Sequence, residues 1–289
     1  MRPRLRDLDG LNVFVTGAAS GIGRAVAEAV AAQGGRLFLT DVHDAGLAAV
    51  ATALGDAVMV AEAADISDHE AVRRLAAGIT REHGAMDVVM NIAGISAWGT
   101  VRSLEHNTWR RMVEVNLMGP IHVIEELVPP MVEASRGGHV VNVSSAAGVI
   151  GMPWHAAYSA SKFGLRGVSE VLRFDLAQHR IGVSLVCPGA VHTPLTQTVR
   201  IDGVDTSGAR FKKLQARFHQ RAVSPEKAAA AILRGVRRNQ YWVYTSPDIR
   251  RIHRLQRWTP SLYALLMHGL NRAANRVLPE VGRARRADA

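Results

Sequence analysis

Two residues of this chain combine the types and the spacing that proton transfer needs: Tyr158 and Lys162. The composition makes both improbable where they stand. Of 35 basic residues only four are lysine, and Lys162 is the only one before Lys212. Tyrosine is as scarce, and Tyr158 is the only one before Tyr241. On a helix, the four-residue spacing sets both side chains on one face, one turn apart. A phenol can carry a proton, and a compact ammonium beside it favours the phenolate. A guanidinium is better suited to clamping anions. The spacing alone also fits a surface cation beside a core aromatic.

A second cluster points to nucleotide binding. An apolar run, Leu11 to Val15, leads into Thr16-Gly17-Ala18-Ala19-Ser20-Gly21-Ile22-Gly23 and then into a helical pattern. Glycines at 17, 21 and 23 permit a tight turn and a close approach of backbone to phosphate. The following helix start offers free N–H groups and a positive dipole end. Asp41 ends the next apolar run, 18 residues after Gly23. A carboxylate there accepts both ribose hydroxyls of an adenosine and repels a 2′-phosphate. Val42, His43 and Asp44 follow it and supply no arginine, which favours NAD over NADP. Asp65 follows the third run and is placed to meet the adenine amino group with Ile66, or to cap a helix, a role Ser67 or Asp68 could also fill.

These residues need elements to hold them. Apolar β-rich runs near 11–16, 36–40, 57–61, 87–91, 138–144, 182–187 and 241–244 alternate with Ala-rich helical patterns near 21–33, 44–54, 68–83, 105–134, 156–179 and 225–238. That alternation predicts an α/β fold, a doubly wound parallel sheet of about seven strands with helices on both faces. Residues 1–248 read as one Rossmann-type domain. Within it, residues 190–222 are polar, Gly-containing and basic, and read as a lid. Residues 249–280 read as a basic amphipathic helical extension, and 281–289 as a disordered tail.

Composition narrows the class. The 289 residues are 48% apolar, enough for a substantial core. The lone Cys187 precludes an internal disulfide and suits a reducing, cytoplasmic setting. Neither a secretory leader nor a run long enough to span a bilayer is evident. No H-E-x-x-H, Cys/His cluster or G-x-S-x-G elbow occurs, so no metal site or hydrolase is expected. Asn142-Val143-Ser144 matches a glycosylation sequon but falls in an expected buried strand. The net charge of +10 is concentrated in the last 41 residues, where nine arginines face Glu280 and Asp288. The remainder is nearly balanced, which argues against nucleic-acid binding by the main domain.

With its motifs in order, the chain resembles the short-chain dehydrogenases/reductases over roughly residues 9 to 245. The matching residues are Thr16-Gly17-x-x-x-Gly21-x-Gly23, Asn91-Ile92-Ala93-Gly94, Asn116, Ser144-Ser145, Tyr158-Ser159-Ala160-Ser161-Lys162, and Pro188-Gly189 with Thr193. Ile92 departs from the family, which usually has a second Asn there. The resemblance implies that Tyr158 is the acid/base and Lys162 its pKa tuner and a ligand of the nicotinamide ribose. It implies that Ser145, rather than Ser144, binds the substrate oxygen. It implies that Asn116 holds a water linking Lys162 to solvent. Thr193, Val191 and the backbone after Pro188 would orient the carboxamide, and the segment Asn91, Ala93, Gly94 would line the cofactor. The long helices near 105–134 and 156–179 would form a homodimer or homotetramer interface.

Residues expected around the substrate are Ser96, Trp98, Val149, Met152, Trp154, His155, Val191 and His192. Most are apolar and none is a carboxylate clamp, which suggests a bulky hydrophobic secondary alcohol or its ketone. A 3-oxoacyl-thioester reductase is the alternative enzyme; such reductases usually use NADPH, so Asp41 counts against it. A non-catalytic NAD-sensing scaffold would have no need of Ser145, Tyr158 and Lys162 together. In the extension, Leu262, Leu265, Leu266, Leu270, Ala273 and Val277 recur at helical spacing, flanked by Arg254, Arg257, Arg272 and Arg276. Packing on the protein's own lid or subunits, attachment to an anionic membrane surface, and a solvated tail all fit that pattern.

Overall fold

A computed structural model describes residues 5, 7–197, 200–201 and 222–283 of the chain. The expected alternation is present. Strand β1 (Asn12–Thr16), helix α1 (Gly21–Ala31), β2 (Arg36–Asp41), α2 (Asp44–Leu54), β3 (Val58–Ala63), α3 (His69–His83) and β4 (Val88–Asn91) form the first half. After a two-residue strand β5 (Ala97–Trp98) come α4 (His106–Val113), α5 (Gly119–Glu133), β6 (Gly138–Val143), α6 (Ala156–Asp175) and β7 (Ile181–Cys187). A single turn α7 (Pro194–Gln197) and a short β8 (Arg200–Ile201) precede α8 (Pro225–Arg237) and β9 (Trp242–Tyr244). The sheet is parallel in the order β3-β2-β1-β4-β6-β7-β9.

Every residue of β1, β4, β6 and β7 is buried, as expected for strands covered on both faces. One apolar layer joins Val123, Leu127 and Met131 of α5 to Phe14, Val89 and Val140 of the sheet. The other joins Val26 and Val30 of α1 and Ile232 and Val236 of α8 to Val13, Val15 and Val88. The strand order reverses at β1 and β4, so the crevice beyond their carboxyl ends is where such a sheet binds ligands.

Two expected elements differ in detail. The helix expected over 105–134 is broken by a π turn at Glu114–Met118, which contains Asn116. The extension is three helices rather than one: α9 (Pro247–Trp258), α10 (Pro260–Val277) and α11 (Pro279–Arg283). A proline opens each, where its missing N–H is tolerated, and Pro260 and Pro279 could not sit inside a continuous helix without breaking it. Residues 281–283, expected to belong to a disordered tail, instead end α11, with Val281 fully buried against Leu278 and Ile201. Residues 284–289, and 202–221 of the expected lid, lie outside the described residues. No helix among the described residues is long and apolar enough to cross a membrane.

Candidate active site

The turn after β1 is built from close approaches. Gly17 has φ +70°, and a Cβ on it would stand 2.8 Å from the Ala93 Cα. A Cβ on Gly23 would stand 2.0 Å from the Gly17 carbonyl oxygen. Gly21 abuts Thr193, whose Cγ2 would lie 2.9 Å from an added Cβ. Ser20, the N-cap residue of α1, makes no side-chain cap bond, so the first N–H groups of the helix stay open to an anion. This is a cradle that fits a pyrophosphate. Gly23→Ala is expected to destabilise the chain by about 1–3 kcal/mol or more, and to weaken NADH binding. Thermal melting and a fluorescence titration would show both.

Asp41 holds this turn to the end of β2. One carboxylate oxygen accepts from Ala19 N–H (3.0 Å) and the other from His43 N–H (2.9 Å). Asp65 accepts from the Ser67 N–H (2.9 Å) and hydroxyl (2.7 Å), whereas Asp68 caps α3 through the N–H groups of Glu70 and Ala71. The capping alternative for Asp65 is thereby filled by another residue. Ile66 turns its side chain into the core, and His122 Nδ1 lies 2.9 Å from its carbonyl oxygen.

Thr16 has a role that the spacing did not reveal. Fully buried at the end of β1, its hydroxyl accepts from the N–H groups of Ile92 and Ala93, each at 3.0 Å. That pins the segment after β4 beside the glycine turn. Asn91, by contrast, faces the sheet interior. Its amide donates to Asn142 Oδ1 (2.9 Å), and Asn142 donates to Ser169 of α6 (2.9 Å). The Asn91 side chain thus ties β4 to β6 and α6, as expected of a segment that stabilises the sheet.

Asn116 and Lys162 converge on Gly94. A Cβ there would lie 2.8 Å from Asn116 Oδ1 and 3.3 Å from Lys162 Nζ. Asn116 is fully buried and brackets Ile95, accepting from its N–H (2.9 Å) and donating to its carbonyl (2.9 Å). The π turn that aims this side chain is a feature common at functional sites.

Tyr158 and Lys162 do share one face of α6, both buried, with Nζ 5.9 Å from the phenol ring centre. Lys162 Nζ donates to the Val143 carbonyl (3.0 Å) at the end of β6. Ser144 is drawn the other way, its hydroxyl donating to the Lys162 carbonyl (3.0 Å). Ser145 is the serine whose hydroxyl acts on the Tyr158 phenol, opposing the effect of burial, and it accepts from Ala147 N–H (3.1 Å). Ala146 N–H donates to Pro188 O (2.7 Å), and Gly189 N–H donates to Thr245 Oγ1 (3.2 Å), so the turns after β6, β7 and β9 are tied together.

Burial dominates the electrostatics. It pushes the Tyr158 phenol above its usual value, against the opposing hydrogen bond from Ser145. It lowers Lys162 to about 8. Without cofactor, the phenol is therefore kept protonated rather than activated. His155 is lowered by the same cause, which keeps its imidazole neutral at pH 7.

Around this centre, Ala97, Leu104, Met112, Ala147 and Ala157 pack with Tyr158, and Ile95, Trp109 and Met152 lie against them. Val149 is buried in the neighbouring core. Trp98 lies against His155, with ring centres 4.4 Å apart and planes tilted by 42°, and donates to Ser96 Oγ (3.1 Å). Val191 is buried and pairs with Val223, whereas His192 is exposed. The extension reaches this mouth, a contribution with no counterpart among the expected site residues. Tyr263 accepts from Gly151 N–H (2.7 Å), and Asn275 accepts from Trp154 Nε1 (3.2 Å). Leu278 and Val281 pack with Ile201 against Trp98 and Trp154. Among the described residues no three His, Cys, Asp or Glu are grouped to hold a metal.

The parallel sheet with its surrounding helices is the fold of known proteins. The short chain dehydrogenase profile matches residues 11–203. The chain belongs to the short-chain dehydrogenase family. It is 33% identical over 270 residues to the "Putative oxidoreductase SadH" of Mycobacterium tuberculosis, covering 91% of this chain and 96% of that one. It is 35% identical over 229 residues to the D-threitol dehydrogenase of Mycolicibacterium smegmatis, covering 78% and 85%. A short chain dehydrogenase/reductase from Burkholderia phymatum, solved in complex with NAD, superposes with a TM-score of 0.80 at 28% identity, over 89% of this chain and 96% of that one. This member of the family is an oxidoreductase with a nicotinamide-cofactor fold.

Proposed function

We propose that this dehydrogenase interconverts a hydrophobic secondary alcohol and its ketone with NAD(H), using Tyr158 as acid/base. The observation that carries the reading is Tyr158, buried beside Lys162, with Nζ 5.9 Å from its ring centre, in an apolar pocket, and with Ser145 near enough to favour its phenolate. When bound, the nicotinamide accepts or donates the hydride. In the oxidative direction Ser145 positions the alcohol oxygen, and Tyr158 Oη accepts the hydroxyl proton as the carbinol hydrogen leaves as hydride. In reduction Tyr158 returns that proton to the carbonyl oxygen. Lys162 holds positive charge behind the phenol, and the cationic nicotinamide adds to it. Asn116 fixes Ile95, and Gly94 leaves the room that brings the Asn116 side chain beside that lysine.

The substrate class rests on the walls. Met152, Trp98 and Trp154 surround the mouth, and Leu278 and Val281 close it from the extension. A relative that acts on D-threitol has a polar substrate, so the substrate class of this chain rests on these apolar walls alone. A homo-oligomer fits the outward side chains of α6, where Phe163, Val171 and Phe174 are exposed.

NAD preference rests on Asp41. Its carboxylate ends β2 beside the phosphate turn, and a 2′-phosphate there would meet negative charge. Asp41→Asn removes the charge and keeps an oxygen for Ala19 N–H. A charge-assisted hydrogen bond is worth about 1.5–3 kcal/mol, so the preference for NAD over NADP should narrow by at least about tenfold. Steady-state kinetics with both cofactors would measure it. A wild-type preference for NADP would overturn the cofactor assignment.

A further inference from the structure

Helix α10 packs one face on the catalytic domain and leaves its most apolar face in solvent. Leu262, Leu265, Leu266, Leu270 and Val277 are 53, 69, 38, 45 and 44% exposed, and Trp258 at the end of α9 is 76% exposed. At 100° per residue the α10 side chains, with Ala273, occupy one stripe of roughly 140°. Asn275, which accepts from Trp154 Nε1, lies on the opposite face, and Tyr263, which accepts from Gly151 N–H, lies between that face and the stripe. Packing on the enzyme therefore uses the polar-containing face and does not cover the leucines.

The charge around this stripe has one sign. A groove of about 620 Å³ between α8, β9 and α9 is lined by Arg234, Arg238, Arg250, Arg254 and Arg257, and Trp258 forms part of its wall. Among the described residues it shares none with the Tyr158 site, and no acid lines it. Arg272 and Arg276 border the stripe on α10 itself. Among the described residues none of these seven arginines forms an ion pair.

We infer that α10 and the arginine groove at its start form a docking surface for an anionic lipid bilayer. The leucines would enter the acyl boundary and the arginines would meet the headgroup phosphates. A second copy is a poor occupant: a symmetric contact sets the same patch against itself and would bring the two arginine sets together. A bilayer supplies both the apolar depth and the negative charge. The inner side of α10 also walls a cavity of about 370 Å³ with Gly151, Met152 and Pro153. Docking would set the mouth of the active site at the membrane surface, where a hydrophobic alcohol partitions; this last step alone rests on the proposed substrate class.

The test is co-sedimentation of the full chain with vesicles of phosphatidylcholine alone or mixed equally with phosphatidylglycerol, at low and high salt. Binding to the mixed vesicles is expected, weakened by salt and much weaker on phosphatidylcholine. Leu262→Glu/Leu265→Glu should lower it at least about tenfold, and Arg254→Glu/Arg257→Glu should do the same. All four side chains are exposed, so the variants should keep wild-type melting and NADH affinity. No binding to mixed vesicles would overturn the proposal. So would binding that the leucine variant leaves unchanged, or a leucine variant that only splits a dimer in light scattering. No substrate enters the assay, so its failure leaves the dehydrogenase reading intact, and an inactive alcohol panel leaves the docking intact.

Discussion

Tyr158→Phe is expected to lower kcat by about 10²–10⁴-fold, the range supplied by a positioned acid/base, while NADH affinity stays near wild type. The substitution removes one oxygen and keeps the ring that packs with Ala97, Leu104, Met112, Ala147 and Ala157. Folding should therefore survive, and stopped-flow or steady-state turnover beside an NADH titration would separate chemistry from binding. Retained activity would remove Tyr158 from the mechanism. The pH profile adds a sign. Burial raises the phenol, so the phenolate needed for alcohol oxidation is the minor form at neutral pH. Oxidation should speed up as pH rises, and ketone reduction, which needs the protonated phenol, should slow.

Lys162→Met is expected to abolish useful turnover and yet leave the cofactor-free chain more stable at pH 7. Burial lowers the folded lysine from 10.5 to about 8. A shift of that size corresponds to about 3 kcal/mol against the ammonium. Losing the hydrogen bond to Val143 O, about 1 kcal/mol, offsets part of the gain. The net expectation is roughly 2 kcal/mol of added stability, read from denaturant unfolding. Its pH dependence is distinctive. Below about 8 both folded and unfolded lysine are charged and the wild type bears the full penalty. Between about 8 and 10.5 the folded lysine is neutral while the unfolded one still binds a proton, so wild-type stability rises with pH. The advantage of the methionine variant should shrink across that window. A variant less stable than wild type at pH 7 would show that the lysine is held by more than its bond to Val143. The expected gain would instead mark the lysine as a group that costs stability and is kept for function, in line with the trade between stability and activity at catalytic sites.

Much of this was legible in the sequence because local chemistry and tertiary geometry coincide. Continuous apolar runs such as Val-Val-Asn-Val read as buried parallel strands, and all seven lie where expected. Gly17 and Gly23 could be read because a turn that close to Ala93 and to its own carbonyl admits nothing larger. The choice between Ser144 and Ser145 could not be made from spacing alone; it depends on which face of the turn meets α6. Thr16 and Asn91 also escaped. Strand residues at the carboxyl edge look alike until the register shows that one hydroxyl holds Ile92 and Ala93 and one amide pairs with Asn142. The extension was harder still. Its periodicity showed an amphipathic helix, but not that the leucine face would stay exposed while Tyr263 and Asn275 reached the site mouth.

The most direct test of the dehydrogenase account is reduction of NAD⁺ by a panel of hydrophobic secondary alcohols, followed by NADH absorbance, with wild type and Tyr158→Phe side by side. The account predicts turnover of at least one such alcohol, faster with NAD⁺ than with NADP⁺ and lost in the Tyr158 variant. Turnover that prefers NADP⁺, or that survives the loss of the Tyr158 hydroxyl, would contradict it.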